Sequence, residues 1–148
     1  MHPKRTLLAV ATAILTLAAM APAVSATPRS GEFHIIKECS GYQGLAGQFC
    51  TITSSNVPAI PVGTKVIYLS ALAAPYTVLD TNIVLDPPGP GNNKAFGHVV
   101  LDFGTDTGLV TISGGTGVFT SFQATADVSH LGGFDWAWEG GYVFGSGR

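Results

Sequence analysis

The stretch TISGGTGVFTSFQATADVS, Thr111 to Ser129, places three glycines between two runs of alternating apolar and polar residues. A glycine-rich loop binds phosphate when a helix N-terminus follows it, because free backbone N–H groups then point at the anion. The residues after Gly117 alternate with a period of two instead, and no Gly-Lys-Ser/Thr occurs. The pattern therefore predicts a tight positive-φ reversal or bulge at Gly114, Gly115 and Gly117 that joins two strands.

Short runs rich in β-branched and aromatic residues fill the chain after residue 26, separated by Gly, Pro, Asn and Asp. No segment there repeats apolar residues at helical spacing, so the pattern predicts an antiparallel all-β domain. The Pro- and Gly-rich segment Asp86 to Asn93 predicts one long hairpin loop. Eight runs are predicted as strands, enough to form an eight-stranded antiparallel closed β-barrel: Phe33 to Glu38, Gln48 to Thr53, Lys65 to Leu69, Tyr76 to Leu85, Ala95 to Phe103, Leu109 to Ser113, Phe119 to Ser129 and Phe134 to Phe144.

The alternation in the last two runs predicts which side chains face the interior. Even positions carry Phe134, Trp136, Trp138, Tyr142 and Phe144 in the last run and Phe122, Ala124, Ala126 and Val128 in the run before it. If these strands pair, small alanines lie opposite bulky rings. Two interpretations remain open, because a small barrel is either filled by side chains or holds one small ligand. In the second case the candidate ligand-binding residues are Tyr68, Phe122, Trp136, Trp138 and Tyr142.

The N-terminal residues 1–26 have the features of a secretory signal peptide: a basic start, an apolar run and small residues before position 27. A retained helical anchor is the alternative. Removal of the signal leaves residues 27–148, a length that suits a single domain. We therefore expect a secreted protein without a membrane segment. Two of the seven Lys and Arg lie in the signal, so five cations face nine carboxylates, a net charge of −4. Without a basic patch, a nucleic-acid partner is not expected.

The two cysteines, Cys39 and Cys50, both lie in the domain that would be exported. Because exported cysteines meet an oxidising compartment, we expect one disulfide bond. Closing so short a loop contributes roughly 2–3 kcal/mol in the chain-entropy treatment. The alternative, a redox or metal pair, does not suit this spacing, which matches neither Cys-x-x-Cys nor a zinc knuckle.

The string Gly114-Gly115-Thr116-Gly117-Val118-Phe119 resembles the glycine signature of the allene oxide cyclase and dirigent barrel superfamily. The upstream segment FGHVVLD, Phe96 to Asp102, is similar to the Gly-His-aliphatic strand of the same superfamily. The resemblance extends over Tyr76 to Phe144. It implies a calycin-like eight-stranded barrel, trimeric assembly, no metal or organic cofactor, and either cyclisation of a reactive epoxide or stereoselective radical coupling. Gln123-Ala124 replaces the Arg-Gly of dirigent proteins. Glu38 is a loose counterpart of the cyclase's first-strand carboxylate.

The candidate catalytic residues are Asp80, Asn82 and His98, with Asp102 beside them. An inward-facing set of this kind would hold a water or protonate an intermediate. The opposite face of both strands is more apolar, so an outward orientation is the alternative. His34, His98 and His130 lie on different runs without metal-ligand spacing, and no metal site is expected.

These observations predict a secreted barrel that binds a small apolar molecule and steers a cofactor-free cyclisation, isomerisation or stereoselective coupling. Positioning alone supplies several kcal/mol to such reactions. One alternative is a lipocalin-like carrier without catalysis. The other is a structural or interaction protein whose barrel is filled by its own side chains.

Overall fold

The computed structural model describes residues 29–145, so the predicted signal peptide, residues 1–26, lies outside the described residues. The chain forms a closed barrel in which eight strands follow one another in sequence order. All neighbouring strands, including the closing pair of the first and last, are antiparallel. The predicted fold class is therefore confirmed. The strands are β1 (Ser30–Glu38), β2 (Phe49–Ser55), β3 (Lys65–Tyr68), β4 (Val78–Asp86), β5 (Ala95–Asp102), β6 (Thr107–Gly115), β7 (Phe122–Gly132) and β8 (Asp135–Phe144).

Several strand boundaries differ from the predicted ones by a few residues, and at two of them the backbone leaves the extended conformation. β4 begins at Val78, because Tyr76 has a φ of 67° in the left-handed region. β7 begins at Phe122, because Gly117–Phe119 form one turn of 3₁₀ helix. The predicted connector is confirmed as an irregular segment between β4 and β5. Within residues 29–145, no helix has the length and apolar character needed to cross a membrane.

The glycine motif forms the predicted reversal between β6 and β7. Gly114 and Gly117 have φ values of 88° and 57°, which residues with a Cβ rarely adopt. Gly115 is required for a different reason, since a Cβ there would lie 1.9 Å from the carbonyl oxygen of Lys94. The Thr116 hydroxyl donates a hydrogen bond of 2.6 Å to the Asn92 carbonyl. The motif thus attaches the β6–β7 turn to the β4–β5 connector, a structural role.

One half of the barrel is filled by aromatic side chains. Phe119 follows the glycine motif, is fully buried, and lies 5.5 Å from the ring of Phe122. Phe122 in turn lies 4.9 Å from Phe144 and 6.4 Å from Phe33, measured between ring centroids. Burial of each such ring contributes roughly 1.5–3 kcal/mol. These rings therefore occupy the interior at the end of the barrel that carries the β2–β3, β4–β5 and β6–β7 connections.

The pairing of β7 with β8 confirms the predicted inward faces. Phe122, Ala124, Ala126 and Val128 are all buried. Ala124 lies opposite Tyr142, as the pairing of small with large residues predicts. Phe134 is an exception among the predicted inward rings: it lies in the β7–β8 turn and is 61% exposed.

The predicted disulfide bond is also confirmed. Cys39 follows the end of β1, Cys50 lies near the start of β2, and their sulfur atoms are 2.06 Å apart. The bond holds the long β1–β2 loop against the rim of the barrel. This loop contributes part of the site described next.

Candidate functional site

A phenylalanine cluster at one end of the barrel consists of Phe33, Phe119, Phe122 and Phe144. The opposite half of the barrel contains a cavity of about 360 Å³. It opens at the end that carries the β1–β2, β3–β4, β5–β6 and β7–β8 connections. A volume of this order suits a small organic molecule. Its walls are mainly apolar and aromatic, with contributions from Tyr42, Tyr68, Leu72, Leu79, Leu101, Phe103, Phe134 and Trp136.

Lys37 places a primary amine at this cavity. It belongs to the inward-facing series of β1 that begins with Phe33 and Ile35, and it is only 3% exposed. Its Nζ donates a hydrogen bond to the Tyr68 hydroxyl. The same atom lies 5.1 Å from the centroid of the Tyr68 ring and 5.0 Å from that of Trp138. None of the ion pairs formed by residues 29–145 includes Lys37, so aromatic faces surround the amine in place of carboxylates.

Burial changes the acidity of both groups in this pair. It lowers the pKa of Lys37 to about 7, because an ammonium ion loses its hydration inside the barrel. Burial, followed by the proximity of Tyr42, raises the pKa of Tyr68 above the ordinary value for a phenol. Tyr68 therefore stays neutral. Lys37 is held near the midpoint of its titration at neutral pH, where a substantial fraction carries a free lone pair.

The β1–β2 loop adds a second phenol to the cavity wall. The ring centroid of Tyr42 lies 4.3 Å from that of Tyr68, and its backbone N–H donates to the carbonyl of Cys39. The disulfide bond thus fixes this ring, and the Cys50 sulfur also lies 3.3 Å from the Tyr68 hydroxyl oxygen. Within the part of the chain that the structure describes, the buried hydroxyl of Tyr42 has no hydrogen-bond partner. Burial raises its pKa as well.

The opposite wall is built by a stacked pair of rings. The ring centroids of His130 on β7 and Trp136 on β8 lie 4.4 Å apart, with an angle of 30° between the ring planes. The Nε2 of His130 lies 2.9 Å from the carbonyl oxygen of Gly133, which orients the imidazole. Phe103 meets the edge of Trp136 at 6.4 Å. Each ring of this wall therefore packs against another ring.

The cavity brings together some of the predicted ligand-binding residues and separates others. Tyr68 and Trp136 line it, and Trp138 lies against the Lys37 amine. Phe122 and Tyr142 pack on each other at 5.8 Å in the filled half of the barrel, away from this cavity. The prediction that all five rings share one lumen is therefore wrong, because the phenylalanine cluster divides the interior.

The predicted catalytic residues form a cluster on the outer surface. His98 lies 2.8 Å from the Asn82 oxygen through Nδ1 and 2.7 Å from Asp80 through Nε2. All three are exposed, while Leu79 and Thr81 of the same strand point inward. The possibility that these three side chains face the interior is therefore wrong. They face outward because the more apolar face of β4 and β5 packs into the core. None of these three residues lines the cavity.

Glu38, the loose counterpart of a first-strand carboxylate, also faces away from the cavity. Its carboxylate accepts a hydrogen bond of 2.7 Å from the backbone of Ser40. Lys37 occupies the adjacent inward position. The sequence contained a signal for this lysine, since Phe33, Ile35 and Lys37 alternate on one face of β1 and Cys39 continues the series. A charged residue in phase with buried ones marks a functional candidate.

No family model, curated protein or solved structure matches this chain.

Proposed function

We propose that this chain is a secreted protein that binds one small, mostly apolar molecule in the cavity beside Lys37. The observation that carries the proposal is the half-filled barrel, which leaves a mainly apolar cavity of about 360 Å³ in which polar side chains are the minority. Small-molecule sites have this composition: apolar walls give affinity, and a few convergent polar groups set orientation. Secretion is supported by the sequence of residues 1–26 and by the disulfide bond.

The bound molecule is steered as well as held. The glycine motif resembles that of proteins that direct cyclisation or coupling by restricting conformation, and a rigid aromatic cavity is suited to the same task. The stacked His130 and Trp136 form one wall, and the fixed rings of Tyr42 and Tyr68 form another. We therefore assign a cofactor-free cyclisation, isomerisation or stereoselective coupling, with the polar contacts supplied by Lys37 and Tyr68.

A carrier without catalysis is the second candidate. It is favoured by the scarcity of carboxylates at the cavity, since general acid and base work usually relies on such groups. The same measurement separates the two candidates, because a carrier releases its ligand unaltered. The presence of the cavity disfavours the third alternative, a structural protein whose barrel is completely filled.

The proposal is tested by native mass spectrometry of the protein purified from culture medium and then incubated with a metabolite extract of the host. We expect one small molecule per chain, released on denaturation and identified by its mass. A Leu101→Trp variant fills the cavity and should lose the molecule, whereas Leu109→Trp, on the outer face of β6, should keep it. Circular dichroism verifies that both variants fold. Chains that remain empty, or equal retention by both variants, would contradict the proposal.

A further inference from the structure

We propose that Lys37 is a nucleophile that captures an aldehyde or ketone group of the bound molecule as an imine. This inference rests on the proposed function and deepens it, because it names the chemical class of the ligand and the atom that recognises it. The class is a small apolar carbonyl compound. The recognising atom is the Nζ of Lys37 at the cavity of the half-filled barrel.

The surroundings of Lys37 differ from those of the other described lysines. Lys94 forms an ion pair of 2.8 Å with Asp86, and Lys65 lies on the surface over the ring of Phe49. Lys37 alone among the lysines of residues 29–145 is enclosed, and it has no carboxylate partner there. A lone ammonium ion in such a place is costly, so the site favours the neutral amine, which is the nucleophilic form.

No carboxylate lies among the side chains that line the cavity with Lys37. The phenol of Tyr68 and the indole of Trp138 lie closest to its Nζ, and Tyr42, Cys39 and His130 line the same cavity. None of these groups is an anion at neutral pH. Burial lowers the pKa of Lys37 to about 7, so the fraction of free amine at neutral pH exceeds that of a surface lysine roughly 10³-fold.

Imine formation in the cavity needs no additional reagent. The Nζ lone pair forms a bond to the carbonyl carbon while the carbonyl π pair moves to oxygen. That oxygen takes a proton from the new ammonium centre and gives a neutral carbinolamine. The carbinolamine then loses its hydroxyl group and the remaining N–H proton as one water, so one C=O bond is exchanged for one C=N bond. Nothing is oxidised or reduced, and the Tyr42 hydroxyl is available to bond to the departing oxygen.

A carbonyl ligand suits the cavity better than a carboxylate. A carboxylate would require Lys37 to stay protonated, and both charges would then lose their hydration in an apolar space. An aldehyde or ketone brings no net charge and needs only one polar contact before the bond forms. The Tyr68 phenol, which is bonded to Nζ, and the Tyr42 phenol in the same cavity wall are the neutral groups that supply such contacts.

The test is reductive trapping of the full mature protein with benzaldehyde and sodium cyanoborohydride at neutral pH, followed by peptide mapping. We expect modification of Lys37 at least about tenfold faster than of Lys65 or Lys94, the internal references. A Lys37→Met variant should lose the fast reaction, and a Lys65→Met variant should retain it. Equal rates at all lysines would overturn the inference.

A second measurement separates this inference from the proposed function. Benzyl alcohol has the same ring without the carbonyl group, and its binding is followed through the fluorescence of Trp136 and Trp138, the two tryptophans of the chain. If benzyl alcohol binds and benzaldehyde is not fixed at Lys37, the imine is refuted while the binding function stands. Binding of benzoate that is lost in Lys37→Met, without trapping of benzaldehyde, would replace the carbonyl by a carboxylate. If neither benzyl alcohol nor benzaldehyde enters the cavity, both the proposed function and the imine fail for small aromatic molecules.

Discussion

Substitution of Lys37 by methionine should remove most of the increase in stability that we expect for this protein between about pH 7 and pH 10. Burial lowers the pKa of the amine to about 7 in the folded protein, against 10.5 for an ordinary lysine. Between these two values the unfolded chain binds more protons at this residue than the folded chain does. The free energy of unfolding therefore rises with pH in this window, and below it folding carries the full cost of enclosing an ammonium ion.

The two pKa values set the size of the effect. At about 1.36 kcal/mol per pH unit, they correspond to about 5 kcal/mol over the whole window. Of this, about 2–3 kcal/mol falls between pH 7.5 and pH 9.5. With a urea dependence of roughly 1–3 kcal/mol per molar, the unfolding midpoint should rise by about 1–3 M over the same interval.

The assay is urea unfolding followed by tryptophan fluorescence at the two pH values, without reductant so that the disulfide bond stays intact. The comparison uses the change with pH, because Lys37→Met also removes a hydrogen bond to Tyr68 and alters the absolute stability. Lys65→Met, which removes an exposed amine, should keep the full pH dependence. If the natural protein and Lys37→Met showed the same slope, Lys37 would not be buried as an unpaired amine, and the reasoning would be refuted.

Three further substitutions test the packing and the site. Phe119→Ala should lower the free energy of unfolding by about 3–5 kcal/mol in thermal denaturation, because it leaves a space in the phenylalanine cluster. Val118→Ala is the control: Val118 is 55% exposed, so its loss should change the free energy of unfolding by no more than about 0.5 kcal/mol. Similar values for both variants would show that the phenylalanine cluster is not essential for stability. Gly115→Ala should cost about 1–3 kcal/mol, since its Cβ would lie 1.9 Å from a backbone oxygen, while Gly41→Ala, whose nearest neighbour is at 3.6 Å, should be tolerated. His98→Ala should leave the molecule recovered from the cavity unchanged, because the imidazole lies on the outer surface; its loss in native mass spectra would return the cluster to the functional site.

Most of the fold could be predicted from the sequence, because its signals are local. A period of two in short runs such as Phe122 to Val128 specifies strands and their two faces, whatever lies across from them. The positive-φ turn at Gly114 and Gly117 follows from the conformational freedom of glycine, and the bond between Cys39 and Cys50 follows from a chain that contains only these two cysteines. These features depend on a few adjacent residues or on composition.

The site depended on the tertiary structure, because closing the barrel decides which face of each strand meets which partner. The alternation in β4 and β5 left two orientations open for Asp80 and His98, and packing of the more apolar face turned both outward. Lys37 meets Tyr68 and Trp138 only when β1, β3 and β8 surround the same space. The sequence by itself determined the strands, the turn and the covalent link. The tertiary structure decided where the phenylalanine cluster ends and the cavity begins, because that boundary depends on side chains from all around the barrel.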